Sequence, residues 1–115
     1  MSRSILVVFS EPANGAEDTY NRWYTDEHLP EVLDIPGFVA AQRFHVADAT
    51  QIEGFPPPQR PYLALYEIEG NSADAIKKLV ERLHNSDIVL PASIKVESIQ
   101  PWCYHPISDR VTKAC

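Results

Sequence analysis

The side chains of this 115-residue chain that could do chemistry are concentrated between Tyr20 and Phe38, in the run Tyr-Asn-Arg-Trp-Tyr-Thr-Asp-Glu-His-Leu-Pro-Glu-Val-Leu-Asp-Ile-Pro-Gly-Phe. His28 is its only imidazole. A histidine titrates near neutrality, so it can take a proton from carbon or oxygen and return it elsewhere, an effect worth about 10²–10⁴-fold in rate when well placed. The structural alternative is a helix-end histidine held by local carboxylates or terminal carbonyls. Tyr20 and Tyr24, one helical turn apart, could stack on an aromatic substrate or donate phenolic hydrogen bonds. Equally, with Trp23, they could simply supply core area. Asp26 and Glu27 could raise the imidazole's pKa as neighbouring anions, or face water. Arg43 could hold a carboxylate or enolate oxygen, pair with Glu27 or Glu31, or serve an interface. Tyr66 offers a hydroxyl to the same region, or packs as an ordinary tyrosine.

Other chemistries find little support. The four histidines show no HxH, HxxxH or HExxH spacing, so no metal site is expected. His84 is expected at an exposed helix end, and His105 in a tail. There is no G-x-S-x-G elbow, and Cys103 reads as a small packed residue. Four glycines, none grouped to cradle phosphate, point away from a nucleotide cofactor. A formal charge of −6 without a basic cluster argues against nucleic acid and anionic membrane as partners. No apolar run reaches the roughly 20 residues of a spanning helix, and Ile5–Phe9 is too short for a signal sequence. Cys103 and Cys115 are read as free thiols of a cytoplasmic protein.

Several elements must position these groups. Ile5–Ser10 is a β-branched and aromatic run, the pattern of a central strand. Glu11–Gly15 is turn chemistry, after which a helix carries Glu17 and Asp18 in its first turn. A helical wheel puts Tyr20, Trp23, Tyr24, Glu27 and Glu31 on one side, with His28 at its margin. Pro30 is expected to stop or kink the helix, with a loose turn from Glu31 to Ile35. Phe38–Ala47 alternates, with Phe38, Ala40, Gln42 and Phe44 on one face and Arg43 and His45 on the other. Residues 48–61 are Pro-rich and are expected to be a lid, a dimer arm or a mobile loop. Tyr62–Glu69 is a third strand. Asn71 or Ser72 caps a second helix with the stripe Ile76, Leu79, Val80 and Leu83. Ser93–Tyr104 alternates as a final strand.

The order βαββαβ predicts an α+β ferredoxin-like domain over residues 1–104: a four-stranded antiparallel sheet with two helices on one face. Residues 105–115 form a C-terminal extension. One sheet face would be bare and apolar, and the same face of a second copy is its expected cover, giving a homodimer.

The pattern Tyr20-Asn-x-Trp23-Tyr24-x-x-Glu27-His28-Leu-Pro30, then Pro36-Gly37-Phe38 and Arg43-Phe44, resembles the EthD-like branch of the dimeric α+β barrel superfamily. The match, taken with the fold order, covers residues 4 to about 104. The resemblance implies substrates held between sheet and helices, often without metal or organic cofactor, with His28 as the residue to test first. The leading expectation is therefore a cofactor-independent lyase or isomerase. It would perform isomerisation, dehydration, decarboxylation or cyclisation on a cyclic or aromatic hydrophobic metabolite. His28 would be the general acid and base, with Tyr20, Tyr24, Arg43 and Tyr66 binding substrate. A cofactor-free monooxygenase and a non-catalytic ligand-binding dimer are the alternatives.

Overall fold

The computed structural model describes residues 3–47 and 52–114. Four strands, β1 (Arg3–Ser10), β2 (Phe38–His45), β3 (Tyr62–Glu69) and β4 (Gln100–Tyr104), form one sheet in the order β2-β3-β1-β4. All three pairings are antiparallel. Two helical stretches cover one face. The first is continuous, running through α1 (Glu17–Trp23), a π-helical turn (Tyr24–His28) and α2 (Leu29–Leu33), and the second is α3 (Ser72–His84). This is the ferredoxin-like α+β arrangement, and β1 is central as its β-branched run requires. Asn71 caps α3, its side chain accepting from the Asp74 N–H at 3.0 Å.

Three local expectations are corrected. First, the chain does not stop at Pro30 but stays helical through it. The Leu29 N–H reaches back five residues to the Tyr24 carbonyl, and this wider turn gives the Pro30 ring the room that an α-turn would deny it. Second, Phe38 lies on the face opposite to the one its alternation predicts. An irregularity between Phe38 and Ala40 shifts the register, so Phe38 pairs with Ile68 while Arg43 pairs with Ala64. An extra residue in one strand reverses the side-chain alternation, which brings Phe38 to the helix face beside Arg43, buried against Tyr66. Third, the last strand begins at Gln100 rather than Ser93. Val96–Ser98 form a 3₁₀ turn, and the buried Ser98 hydroxyl bonds to the Lys95 carbonyl at 2.6 Å and receives the Glu11 N–H at 2.9 Å. Those bonds replace ladder pairing.

Pro36-Gly37 brings the backbone close against α3. Gly37 has φ +103°, and a Cβ built on it would stand 2.9 Å from the Ala75 Cβ of α3. Only glycine meets both demands without strain. The core gathers beneath the helices around Leu6, Tyr66, Ile68, Tyr20, Val32 and Ile35. The opposite sheet face follows the register Ile5–Tyr104, Val7–Trp102, Val7–Leu65 and Phe9–Leu63, and Phe44, Trp102 and Tyr104 there are exposed. Residues 105–114 form no regular element and are exposed. No described helix is long and apolar enough to cross a membrane.

Candidate functional site

The π turn decides where His28 goes. In a straight α-helix advancing about 100° per residue, His28 would sit about 80° from Tyr20, and Glu27 within about 20° of it. One extra residue in the turn exchanges them. Tyr20, Tyr24, His28 and Val32 are all buried, while Glu27 is exposed. The imidazole that the wheel puts at the margin therefore lies on the inner face. It is 9% exposed.

Three contacts fix the ring. Nδ1 is 2.7 Å from Glu31 Oε2, and the imidazole stacks on the Trp23 ring at a centroid distance of 4.6 Å and an interplanar angle of 23°. Tyr24 meets it edge-on at 5.1 Å. Burial disfavours the charged imidazolium and lowers the His28 pKa below its usual 6.5, against the opposing pull of Glu31. The partner carboxylate is thus Glu31, not Asp26 or Glu27, both of which are exposed. The signal for it was the i,i+3 spacing, which puts Glu31 over the same turn.

His28, Tyr24 and Val32 form one wall of a cavity of about 250 Å³. Its floor is the sheet, through Leu6, Val8, Tyr66 and Cys103, and its roof is α3, through Ile76, Leu79 and Leu83. Val80 and Trp102, exposed at 41% and 67%, also line it, on α3 and the edge strand β4 respectively. The lining is almost wholly apolar. Desolvation raises both phenols: Tyr24 to about 12, and Tyr66 further still. The Tyr66 hydroxyl is buried and, among the described residues, has no hydrogen-bond partner of good geometry, although the Tyr24 hydroxyl is close enough for the two to interact.

Tyr20 and Arg43 lie behind this wall and do not line the cavity. The Tyr20 hydroxyl is 2.7 Å from the Ser10 hydroxyl in the core. Arg43 is on the helix face of the sheet, donating to Asn21 Oδ1 at 2.8 Å, to Thr25 Oγ1 at 3.0 Å and to the Asn21 carbonyl at 3.3 Å. Its guanidinium carbon also sits 4.6 Å from the centroid of the Tyr24 ring. It pairs with neither Glu27 nor Glu31. The structure thus brings together three of the residues singled out by sequence, His28, Tyr24 and Tyr66, and sets two apart.

Sequence reading passed over the role of Trp23 as the surface against which His28 stacks, and the place of Cys103 in the cavity floor. Cys103 is a free thiol, while Cys115 lies outside the described residues. Of the Pro-rich segment expected to be a lid, residues 48–51 also lie outside the described residues, and none of residues 52–61 lines the His28 cavity. Pro58, Arg60 and Pro61 instead border a hollow with Phe9, Phe44 and Leu63. Among the described residues no group of three or more His, Cys, Asp or Glu side chains is placed to hold a metal ion.

No protein-family model matches the chain, and no curated protein sequence matches it. Solved structures do. An EthD family protein from Bacillus halodurans superposes with a TM-score of 0.58 at 8% identity, over 93% of this chain and 100% of that one. A dimeric ferredoxin-like protein of unknown function from Jannaschia gives 0.56 at 18% identity, over 88% and 96%. A candidate monooxygenase from Shewanella loihica gives 0.52 at 16% identity, over 99% of each chain. With the strand order and helix placement above, these matches establish the architecture: this chain has the ferredoxin-like α+β fold.

Proposed function

We propose that the protein is a cofactor-independent enzyme that moves a proton on a small cyclic or aromatic hydrophobic substrate. His28 is its general base and acid. The observation that carries this reading is a buried imidazole, tied through Nδ1 to Glu31, in the wall of an apolar cavity that also receives Tyr24 and Tyr66. Enclosed apolar cavities with a few converging polar groups are the usual form of small-molecule sites.

The chemistry follows from the hydrogen bonding. With Nδ1–H donated to Glu31, the Nε2 lone pair is the basic site, a tautomer assigned from that bond. Burial keeps the ring neutral at physiological pH, so the free base is available. Nε2 would take a proton from the carbon next to a substrate carbonyl. Glu31 would favour the imidazolium that results. The developing enolate oxygen would accept hydrogen bonds from Tyr24 and Tyr66, whose raised pKa values keep them protonated donors. Returning the proton to another atom gives isomerisation. Expelling a β-hydroxyl gives dehydration, and the same groups would serve decarboxylation or cyclisation. Tyr20 and Arg43 then support Tyr24 from behind without touching substrate.

Exchange of the α-protons of 2-tetralone for deuterium in D₂O, followed by proton NMR, tests the step without the natural substrate. His28→Gln and His28→Ala should slow the protein-catalysed exchange by about 100-fold or more while leaving the far-UV spectrum unchanged. Equal exchange by wild type and both variants would refute the assignment. A second reading, cofactor-free oxygenation, draws on the fold shared with the candidate monooxygenase. Dioxygen dependence of product formation separates it from proton transfer. A non-catalytic binding module would bind 2-tetralone without exchanging it.

The proposal includes a homodimer closed through the open sheet face, and residence in the cytoplasm. The dimeric ferredoxin-like neighbour and the apolar register Val7–Trp102, Val7–Leu65 and Phe9–Leu63 support the dimer. Val7→Glu should convert the dimer to a monomer by light scattering. A wild-type chain that is monomeric at millimolar concentration would contradict it.

A further inference from the structure

One group in the cavity is left without its bond. The Tyr66 residue is 2% exposed and its hydroxyl is buried; the Tyr24 hydroxyl acts on it from nearby, but no described residue meets it at full hydrogen-bonding geometry. Buried polar groups are nearly always paired, so an orphan in the wall of a cavity points to a partner that arrives from outside the chain. A phenol that stays protonated can offer that partner a hydrogen.

The charges around the cavity restrict the partner further. No lysine or arginine lines it. Arg43 has its N–H groups on Asn21 and Thr25, and its guanidinium lies over the Tyr24 ring, outside the lining. The charge closest to the imidazole is the Glu31 carboxylate. An anion placed here would be buried with no counter-charge and with a carboxylate behind the histidine, a costly arrangement. A cation brings no acceptor for the Tyr66 hydroxyl. Size sets the remaining limit. A cavity of about 150 Å³ holds benzene, so the 250 Å³ here has room for a second ring.

We infer that the ligand of this cavity is an uncharged one- or two-ring compound whose carbonyl or ether oxygen accepts a hydrogen bond from the Tyr66 hydroxyl, and that carboxylates and phosphates are excluded. The inference rests on the proton-transfer reading for the identity of the site, and it narrows the substrate class within it, removing decarboxylation from the reactions proposed above.

Calorimetric titration of the full-length protein with three probes of one shape tests it: 2-tetralone, tetralin and tetralin-2-carboxylate. Wild type should bind the ketone at least about 10-fold more tightly than the carboxylate. Tyr66→Phe should lower affinity for the ketone about 5- to 10-fold and leave tetralin unchanged or slightly tighter. A thermal scan of the same variant should show a melting temperature equal to or above wild type, because an unpartnered buried hydroxyl is removed. A carboxylate that binds as well as the ketone would overturn the inference. So would an unchanged ketone affinity in Tyr66→Phe, a clear fall in its melting temperature, or no ketone binding at millimolar concentration. The outcome is separable from the catalytic one. If His28→Gln abolishes exchange while Tyr66→Phe binds the ketone normally, only the ligand class fails. If the ligand pattern holds but exchange is indifferent to His28, only the proton-transfer role fails.

Discussion

Two polar clusters flank Tyr24 on the first helix, and they are finished differently. Around Arg43 the donors and acceptors close on one another. Arg43 reaches Asn21 and Thr25, Asn21 donates to the Tyr62 hydroxyl at 3.3 Å, and Tyr62 donates to Glu17 at 2.5 Å. Three tyrosine rings, Tyr20, Tyr24 and Tyr62, surround the guanidinium at 4.6–5.5 Å from their centroids. Around His28 the bonding stops short. Nδ1 is satisfied by Glu31, but the Tyr66 hydroxyl has no partner of full hydrogen-bonding geometry among the described residues, and the cavity in front of both is apolar. A saturated cluster pins strand β2 to the helix. An unsaturated one bordering a cavity is poised for a ligand. Residue type alone would have assigned both to the same site.

Substitutions in the two clusters should therefore divide cleanly between function and stability. The largest effect expected is the loss of about 100-fold or more in 2-tetralone exchange when His28 becomes glutamine. Next is Arg43→Ala, which removes three hydrogen bonds and three cation–π contacts and should cost about 2–3 kcal/mol in urea unfolding. Arg43→Lys should recover only part of that, since an ammonium lacks the planar fork that reaches Asn21 and Thr25 together. If Arg43→Ala leaves the unfolding midpoint unchanged but abolishes ketone binding, the roles of the two clusters are reversed. The smallest effect is on the pH dependence of stability. His28 has a folded pKa below its unfolded 6.5, so the unfolded chain binds the proton more readily. Its contribution to stability is complete above pH 6.5 and is lost as pH falls from there through the folded value. His28→Gln should flatten that part of the profile, and an unchanged slope would mean the ring is not buried as described.

The fold was largely legible in the sequence because its signals are local. Strict alternation marks Tyr62–Glu69 at both ends, and Asn71 announces α3 by its capping side chain. What escaped are insertions of a single residue. The π turn carries His28 from the margin of the wheel to the inner face, and the irregularity at Phe38–Ala40 brings Phe38 into the core. Each breaks a regular period at one point, and pattern reading assumes that the period persists. The site was legible as a neighbourhood for the same reason. His28 and Tyr24 follow from spacing along one helix, but Tyr66 reaches them only through strand pairing, and the confinement of Arg43 depends on Asn21 and Thr25 from another element. Ser93–Ile99 alternates like a strand, yet Ser98 satisfies its neighbours' backbone from its own side chain.

The central claim is that the His28 imidazole faces the cavity as a neutral base held at Nδ1 by Glu31. Nitrogen-15 NMR of the imidazole, recorded across pH with and without 2-tetralone, measures this directly. The account predicts a ring protonated at Nδ1, titrating below pH 6.5, whose Nε2 resonance moves when the ketone is added. A ring that titrates at or above 6.5, with an Nε2 signal indifferent to the ketone, would contradict it.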